Sequence, residues 1–265
     1  GWVVGWMDYV MYTELGGYVW VPQPSPAGNT FFSVFFIDTL HGWAVGGDGK
    51  TIATSTGGQI WVEQITDLPY RNLKSVIFTD TMHGCAVGED GAITVTFDGG
   101  NDWIYKQTGR VNTLNDIFIL KEKAWAVGEW GTIMHSSDEG ESWNKQVSGT
   151  QRFLNSVDFI NDSNGWIAGR SGTILSTSNG GHDWYGMESG SGEDLWDIDF
   201  IDKDRGWIVG DSGTLLSTFD GGLSWINDSI CNKFTFLNSV FFLDSNYGWI
   251  SGQSIWDTGR IYRTV

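Results

Sequence analysis

Gly165-Trp166-Ile167-Ala168-Gly169 returns along the chain as Gly42-Trp43-Ala44-Val45-Gly46, Gly206-Trp207-Ile208-Val209-Gly210 and Gly248-Trp249-Ile250-Ser251-Gly252. Gly1-Trp2, Gly84-Cys85 and Ala124-Trp125 fill the other places of the series, so the second residue of the motif falls at 2, 43, 85, 125, 166, 207 and 249. A fixed period of this size marks a repeat architecture in which each unit is one supersecondary element that buries its faces against its neighbours. Seven units are represented, some of them incomplete.

A second marker follows about 11 residues later. It is clearest in Ser136-Ser137-Asp138-Glu139-Gly140-Glu141-Ser142-Trp143 and Thr218-Phe219-Asp220-Gly221-Gly222-Leu223-Ser224-Trp225, and Thr96 to Trp103 repeats it with Asp98 and Gly100. The pattern S/T-x-D-x-G-x-x-W is a turn. Its carboxylate is expected to accept hydrogen bonds from backbone N–H groups two or three residues on, its glycine to supply positive φ, and its tryptophan to cover the corner. Asp98, Gly100, Trp103, Asp138, Gly140, Trp143, Asp220, Gly222 and Trp225 are therefore assigned structural roles.

Short β-type segments bounded by turn residues lie between the markers and allow four strands per unit. In residues 153–187, strand A is Phe153 to Phe159, B is Gly165 to Gly169, C is Thr173 to Thr177, and D surrounds Trp184. Strands A and B are apolar on both alternating sets, as a sheet covered on each face requires. A four-stranded unit near 40 residues has the size of a propeller blade. The expected fold is all-β: a seven-bladed β-propeller of four-stranded antiparallel blades over residues 1–265, with B-C-D in the first unit, five complete units and A-B-C in the last. Because the chain starts without Met and stops inside a repeat, it reads as part of a longer protein.

Composition agrees with this reading. Hydrophobic residues make up 40% and aromatic residues 15%, which supplies a core; 37 glycines and 16 tryptophans suit many tight turns joined to aromatic-rich strands. A net charge of −17 repels phosphate backbones and anionic lipid, which argues against nucleic acid as a partner. No apolar run reaches the length that inserts into a bilayer, and no signal peptide stands at Gly1. Cys85 and Cys231 form neither a CxxC nor a disulfide framework.

The set F/L-x-S-V-x-F, GWAVG, G-T-I-x-x-T and D-G-G-x-x-W resembles the photosystem II stability/assembly factor family, a branch of the BNR or Asp-box propellers. Residues carrying the resemblance include Leu154-Asn155-Ser156-Val157-Asp158-Phe159, Gly165-Trp166, Gly172-Thr173-Ile174-Leu175-Ser176-Thr177 and Gly180-Gly181-His182-Asp183-Trp184. The resemblance runs over essentially the whole chain. It implies a non-enzymatic protein-binding scaffold without cofactors, acting outside the cytoplasm (secreted, periplasmic or in a thylakoid lumen), whose partner is a membrane-complex subunit or an extracellular protein.

In a propeller the A–B and C–D loops share one face, and the B–C and D–A loops share the other. The Asp boxes are C–D turns, so variable recognition residues are expected on the opposite face, among B–C residues Asp48, Asp90, Glu129, Trp130, Arg170 and Asp211 and in the D–A loops. Arg71, Arg110 and Arg152 precede strand A in successive units, with Arg170 in a B–C turn nearby. Resembling proteins are thought to meet their partner through an arginine-rich patch, and these four are the nearest match; exposed arginines also form weak surface pairs with carboxylates. Trp130, where other units carry a small or acidic residue, reads as an aromatic anchor or as packing on an adjacent loop.

The rival reading is an Asp-box carbohydrate-active enzyme or a glycan-binding module. A glycosidase needs a pair of carboxylates across a groove or a supported tyrosine, and a sialidase an arginine triad with an F/Y-R-I-P segment, which is absent. Asp48, Asp90, Glu129 and Asp211 occupy equivalent turns of separate units and read as turn-formers. His41 and His83 occupy matching places and also read as turn residues. Cys85, in a tryptophan's place, reads as a small buried hydrophobe. No D-x-D-x-D-G loop is present, and no metal or catalytic residue is assigned.

Overall fold

The computed structural model describes residues 1–6, 9–26, 30–68, 70–106, 108–109, 112–228, 235–254 and 259–264. Its strands form seven antiparallel sheets, each an up-and-down run of sequential neighbours. They are the blades of a seven-bladed β-propeller. The first has three strands, Trp2–Val4, Val10–Tyr12 and Val21–Gln23, and the last three, Thr235–Phe242, Gly248–Ser254 and Gly259–Arg263; the five between them have four each. That is the expected B-C-D, five A-B-C-D and A-B-C complement. In the fifth sheet the strands are Leu154–Phe159, Gly165–Gly169, Thr173–Thr177 and Tyr185–Glu188. Strand D thus starts just after Trp184, whose indole is buried as the last corner of the Asp box, and pairing begins at Ser176 with Tyr185.

Two compact units divide the chain, Gly1–Ala126 with Met134–Asn144, and Val127–Ile133 with Lys145–Val265. In the first, a core cluster joins Trp43 and Val45 to Leu73, Val76 and Phe78 of the next blade. In the second, Trp166 and Ala168 meet Leu195, Ile198 and Phe200 in the same way.

The Gly-Trp pair is explained by one aromatic stack. Trp43 lies flat on Phe78 with ring centroids 3.6 Å apart, and Trp166 on Phe200 at 3.7 Å. The same phenylalanine covers the glycine of its own blade: a Cβ on Gly84 would stand 2.5 Å from the Phe78 ring, and one on Gly165 would stand 2.4 Å from that of Phe159. Glycine is required because the ring occupies the Cβ position. Where the motif fails, the pieces change together. Ile119 stands where the other blades have this phenylalanine, Ala124 replaces the glycine, and Cys85 replaces the preceding blade's tryptophan. Cys85, 1% exposed, packs in the same cluster as Ile119, and burial raises its thiol pKa above the usual range.

The Asp box is one residue wider than expected. Gly100 N–H donates to Thr96 Oγ1 at 2.8 Å, and Asp98 Oδ1 accepts the N–H of Asp102 at 3.0 Å, four residues on. Asp138 likewise accepts Ser142 N–H at 2.9 Å, and Asp220 that of Ser224 at 2.9 Å. Two consecutive left-handed residues, Gly99 and Gly100 in the first box and Glu139 and Gly140 in the second, swing the chain outward so that the later N–H faces the carboxylate. The Asp102 N–H bond holds Asp98 below the ordinary carboxylate range, and the Ser142 and Ser224 hydroxyls, which donate to Asp138 and Asp220 at 2.6 Å, together with the N–H bonds of the same serines, do so for Asp138 and Asp220.

The boxes also tie blades together. Trp43 Nε1 and Gln64 Nε2 both donate to Gly99 O at 2.9 Å, while Gln64 Oε1 accepts Trp103 Nε1 at 3.3 Å. Gln146 repeats the arrangement on Gly180 O and Trp184. Between A strands the ties are side chain to backbone: Asp158 accepts Phe200 N–H at 2.7 Å, Asp197 accepts Val240 N–H at 2.8 Å, and Asp199 accepts Phe242 N–H at 2.6 Å.

Candidate functional site

Every described B–C turn is built alike. Asp48, Asp90, Trp130, Ser171 and Ser212 have φ between 54° and 58°, and each is followed by a left-handed glycine. This is the I′ hairpin turn, whose twist matches the flanking strands and which favours Asn or Asp before Gly. The turns are clasped by the D–A loops: Gly47 N–H donates to Thr30 O at 3.0 Å, Gly131 N–H to Arg152 O at 2.8 Å, Arg170 N–H to Phe153 O at 2.8 Å, and Gly172 N–H to Glu193 O at 2.7 Å. At the opposite end of the sheets, Asp-box glycines Gly57 and Gly180 donate to Leu40 O and Ser163 O of the A–B turns. The two loop sets therefore segregate as the sequence suggested.

A further irregularity lies near the B–C end of strand A. Strand A carries a β-bulge at one repeated position, occupied by Phe32, Lys74, Asn155, Trp196 and Asn238. Bulges re-aim side chains and gather near binding sites. These residues vary, although the leucine or phenylalanine before them and the serine or aspartate after them repeat.

In the second unit, four side chains at this end form a continuous run. The Trp130 indole, 59% exposed, meets the half-buried Phe153 edge to face at 5.4 Å. The Arg170 guanidinium lies over Phe153, 4.6 Å from its centroid, and 5.7 Å from that of Trp196. Trp196 Nε1 donates to Asp211 Oδ1 at 2.5 Å, and Arg170 Nε stands 3.6 Å from Asp194 Oδ2. Partial burial raises the Asp211 pKa, with Asp194 and Glu193 adding to the shift; the Trp196 hydrogen bond opposes it. A groove of about 790 Å³ in the same unit is lined by Thr150, Arg152, Ser171, Gly172, Tyr185 and Ser189.

The other expected residues fall as follows. Arg71, in the first unit, lies 5.7 Å from the Tyr105 ring centroid and 3.7 Å from Asp90 Oδ2, a partly exposed pair. Arg152 is exposed. Arg110 lies outside the described residues, as does Cys231. His41 and His83 cap their own A–B turns through Asp38 and Asp80, each at 2.8 Å, and the His41 bonds bring Asp38 down to about 2. Asp48 N–H donates to Asn72 Oδ1, and the carboxylates of Asp90 and Asp211 have separate local partners in Arg71 and Trp196. Among the described residues no group of three or more His, Cys, Asp or Glu side chains could hold a metal ion.

Residues 64–151 and 187–256 match the family described as photosynthesis system II assembly factor YCF48. The chain belongs to this family.

Two YCF48 structures have the same fold over the full length of the chain. One, "YCF48 bound to D1 peptide", is 22% identical, with 100% of this chain and 87% of that chain covered and a TM-score of 0.81. The other, YCF48 from Cyanidioschyzon merolae, is 20% identical, with 100% and 90% covered and a TM-score of 0.80. An ancestral GH74 enzyme shares the propeller fold at 15% identity and a TM-score of 0.71, over 93% of this chain and 38% of that one. No curated protein sequence matches the chain. In this YCF48-family propeller, sequence reasoning named Trp130 and Arg170 but missed Phe153 and Trp196. The available signal was the variable place between repeated residues of strand A, which no motif flags.

Proposed function

We propose that this YCF48-family propeller is a non-enzymatic scaffold that acts outside the cytoplasm and binds a protein partner, a membrane-complex subunit, through the B–C and D–A end of its blades. The observation that carries this is the Trp130, Phe153, Arg170 and Trp196 run. An exposed indole and two partly buried aromatic rings beside a guanidinium are the residue types that dominate protein-binding energy, and Trp130 and Arg170 sit on rigid hairpin turns. The named YCF48 complex with a D1 peptide supports a polypeptide ligand of that kind.

Arg71, Arg110 and Arg152, which precede strand A in successive repeats of the sequence, are proposed as the basic contribution to partner capture. In a chain of net charge −17, a few cations set the orientation of approach. Reversal of all three to glutamate is expected to abolish capture of a D1 peptide while leaving the melting temperature unchanged. Retained capture removes the arginines from the site, and turnover of a glycan substrate by the intact protein contradicts the scaffold reading.

A further inference from the structure

Trp130 is the residue whose presence local structure explains least. It holds the left-handed place of an I′ turn, at φ 56°, where a bulky side chain is disfavoured and Asn, Asp or Gly is preferred. Two other blades show what normally stabilises that place. Asp48 N–H donates to Asn72 Oδ1 at 3.1 Å, and Ser171 N–H to Asp194 Oδ1 at 2.8 Å. Phe153 stands at the position equivalent to Asn72 and Asp194, just before the leucine of strand A. A phenyl ring offers no such acceptor. The side-chain acceptor of that clasp has thus become aromatic, while the residue that supplies the backbone N–H is a tryptophan whose indole is left 59% exposed with its edge contact on Phe153.

The neighbouring cation is organised by the same ring. Arg170 is held against Phe153 and Trp196, its side chain 46% exposed, with one long approach of Nε to Asp194. A guanidinium held over aromatic rings keeps its planar fork for a carboxylate. Asp194 stands beside it and Asp211 is near enough to interact with it electrostatically, which favours one carboxylate over an acidic run. Contacts of 5.4 and 4.6 Å separate the indole from the guanidinium by way of Phe153, a reach that two or three extended residues cover at ~3.3 Å each.

We propose that Trp130 on Phe153 is a specificity pocket for one large apolar side chain of an extended partner segment, which places a glutamate or aspartate side chain two or three residues away on Arg170. The inference rests on the protein-binding reading and adds the residue types that the partner must carry.

The test uses the intact chain and a fluorescent library of N-acetylated, C-amidated heptapeptides, each with one fixed glutamate and one varied position, beside the same peptides with a free C-terminal carboxylate in place of the glutamate, and a glycan array. Selection of phenylalanine, tryptophan or leucine two or three residues from the glutamate is expected. W130N, which restores a turn-favoured residue, is expected to lose that selection and about tenfold in affinity for the selected peptides, with an unchanged or raised melting temperature. Phe153→Leu, which keeps an apolar floor without its aromatic face, is expected to weaken selection less. Unchanged selection in W130N, or a lowered melting temperature with binding intact, makes Trp130 a packing residue and overturns the inference. So does glycan binding in place of peptide binding, or preference for a free C-terminal carboxylate over the internal glutamate. If R170E abolishes peptide binding while W130N changes nothing, this inference fails and the scaffold reading stands; if both leave binding unchanged, both fail.

Discussion

At the scale of single residues, the repeat is held by exchanges that are legible only in pairs. Gly165 is glycine because Phe159 occupies the space of its Cβ, and Phe159 presents an edge to Trp184 at 5.8 Å. Gly165→Ala is expected to destabilise the protein by ~1–3 kcal/mol through overpacking. Phe159→Ile alone leaves part of a ring's volume empty. Together the two changes reproduce Ile119 with Ala124, so a double-mutant cycle in urea should show a favourable coupling of ~0.5–3 kcal/mol; simple additivity would contradict the paired account. The Gly-Trp motif was visible in the sequence at once, but the reason for it was not, because Phe159 and Gly165 meet across a hairpin. The Cys85, Ile119 and Ala124 exceptions likewise read as scattered degeneracy until the packing joins two of them in one cluster and accounts for the third.

At the scale of elements, strand count and order followed from period and turn residues, since alternation and glycine placement are local properties. What lay beyond reach was non-local: the bulge in strand A, the extra residue in the Asp-box turn, and the side-chain ties between A strands. Those ties carry a pH consequence. Asp199 is pushed up to about 8, first by burial and then by Asp158, with the Phe242 N–H bond opposing and Asp197 adding to the rise. Its folded-state pKa lies above the ordinary carboxylate value of 3.8, so the folded state holds the extra proton between these limits. This group's contribution is therefore fully present below about pH 4 and is lost as pH rises through about 8. Denaturation midpoints are expected to fall across that window, and Asp199→Asn, which keeps a backbone acceptor without the charge, to flatten the fall. An unchanged slope in the variant would show that Asp199 does not titrate in this range.

At the scale of the whole molecule, the repeat separates what holds the blades from what distinguishes them. Asp-box aspartates, Gly-Trp pairs and Gln64-type ties recur and are satisfied by contacts within the fold. The B–C turns and strand A bulges differ from blade to blade, and in the second unit they assemble aromatic and cationic side chains on rigid turns. Sequence reasoning reached half of that cluster: Trp130 and Arg170 stood out by type, whereas Phe153 and Trp196 resemble ordinary strand residues. The most direct test is a hydrogen-exchange footprint of the intact protein with and without a D1 peptide. The account predicts slowed exchange at residues 129–131, 150–153, 170–172 and 193–196, with the Asp-box turns at 98–102, 138–142 and 220–224 unchanged. Protection confined to the Asp-box turns would place recognition at the other end of the blades and contradict it.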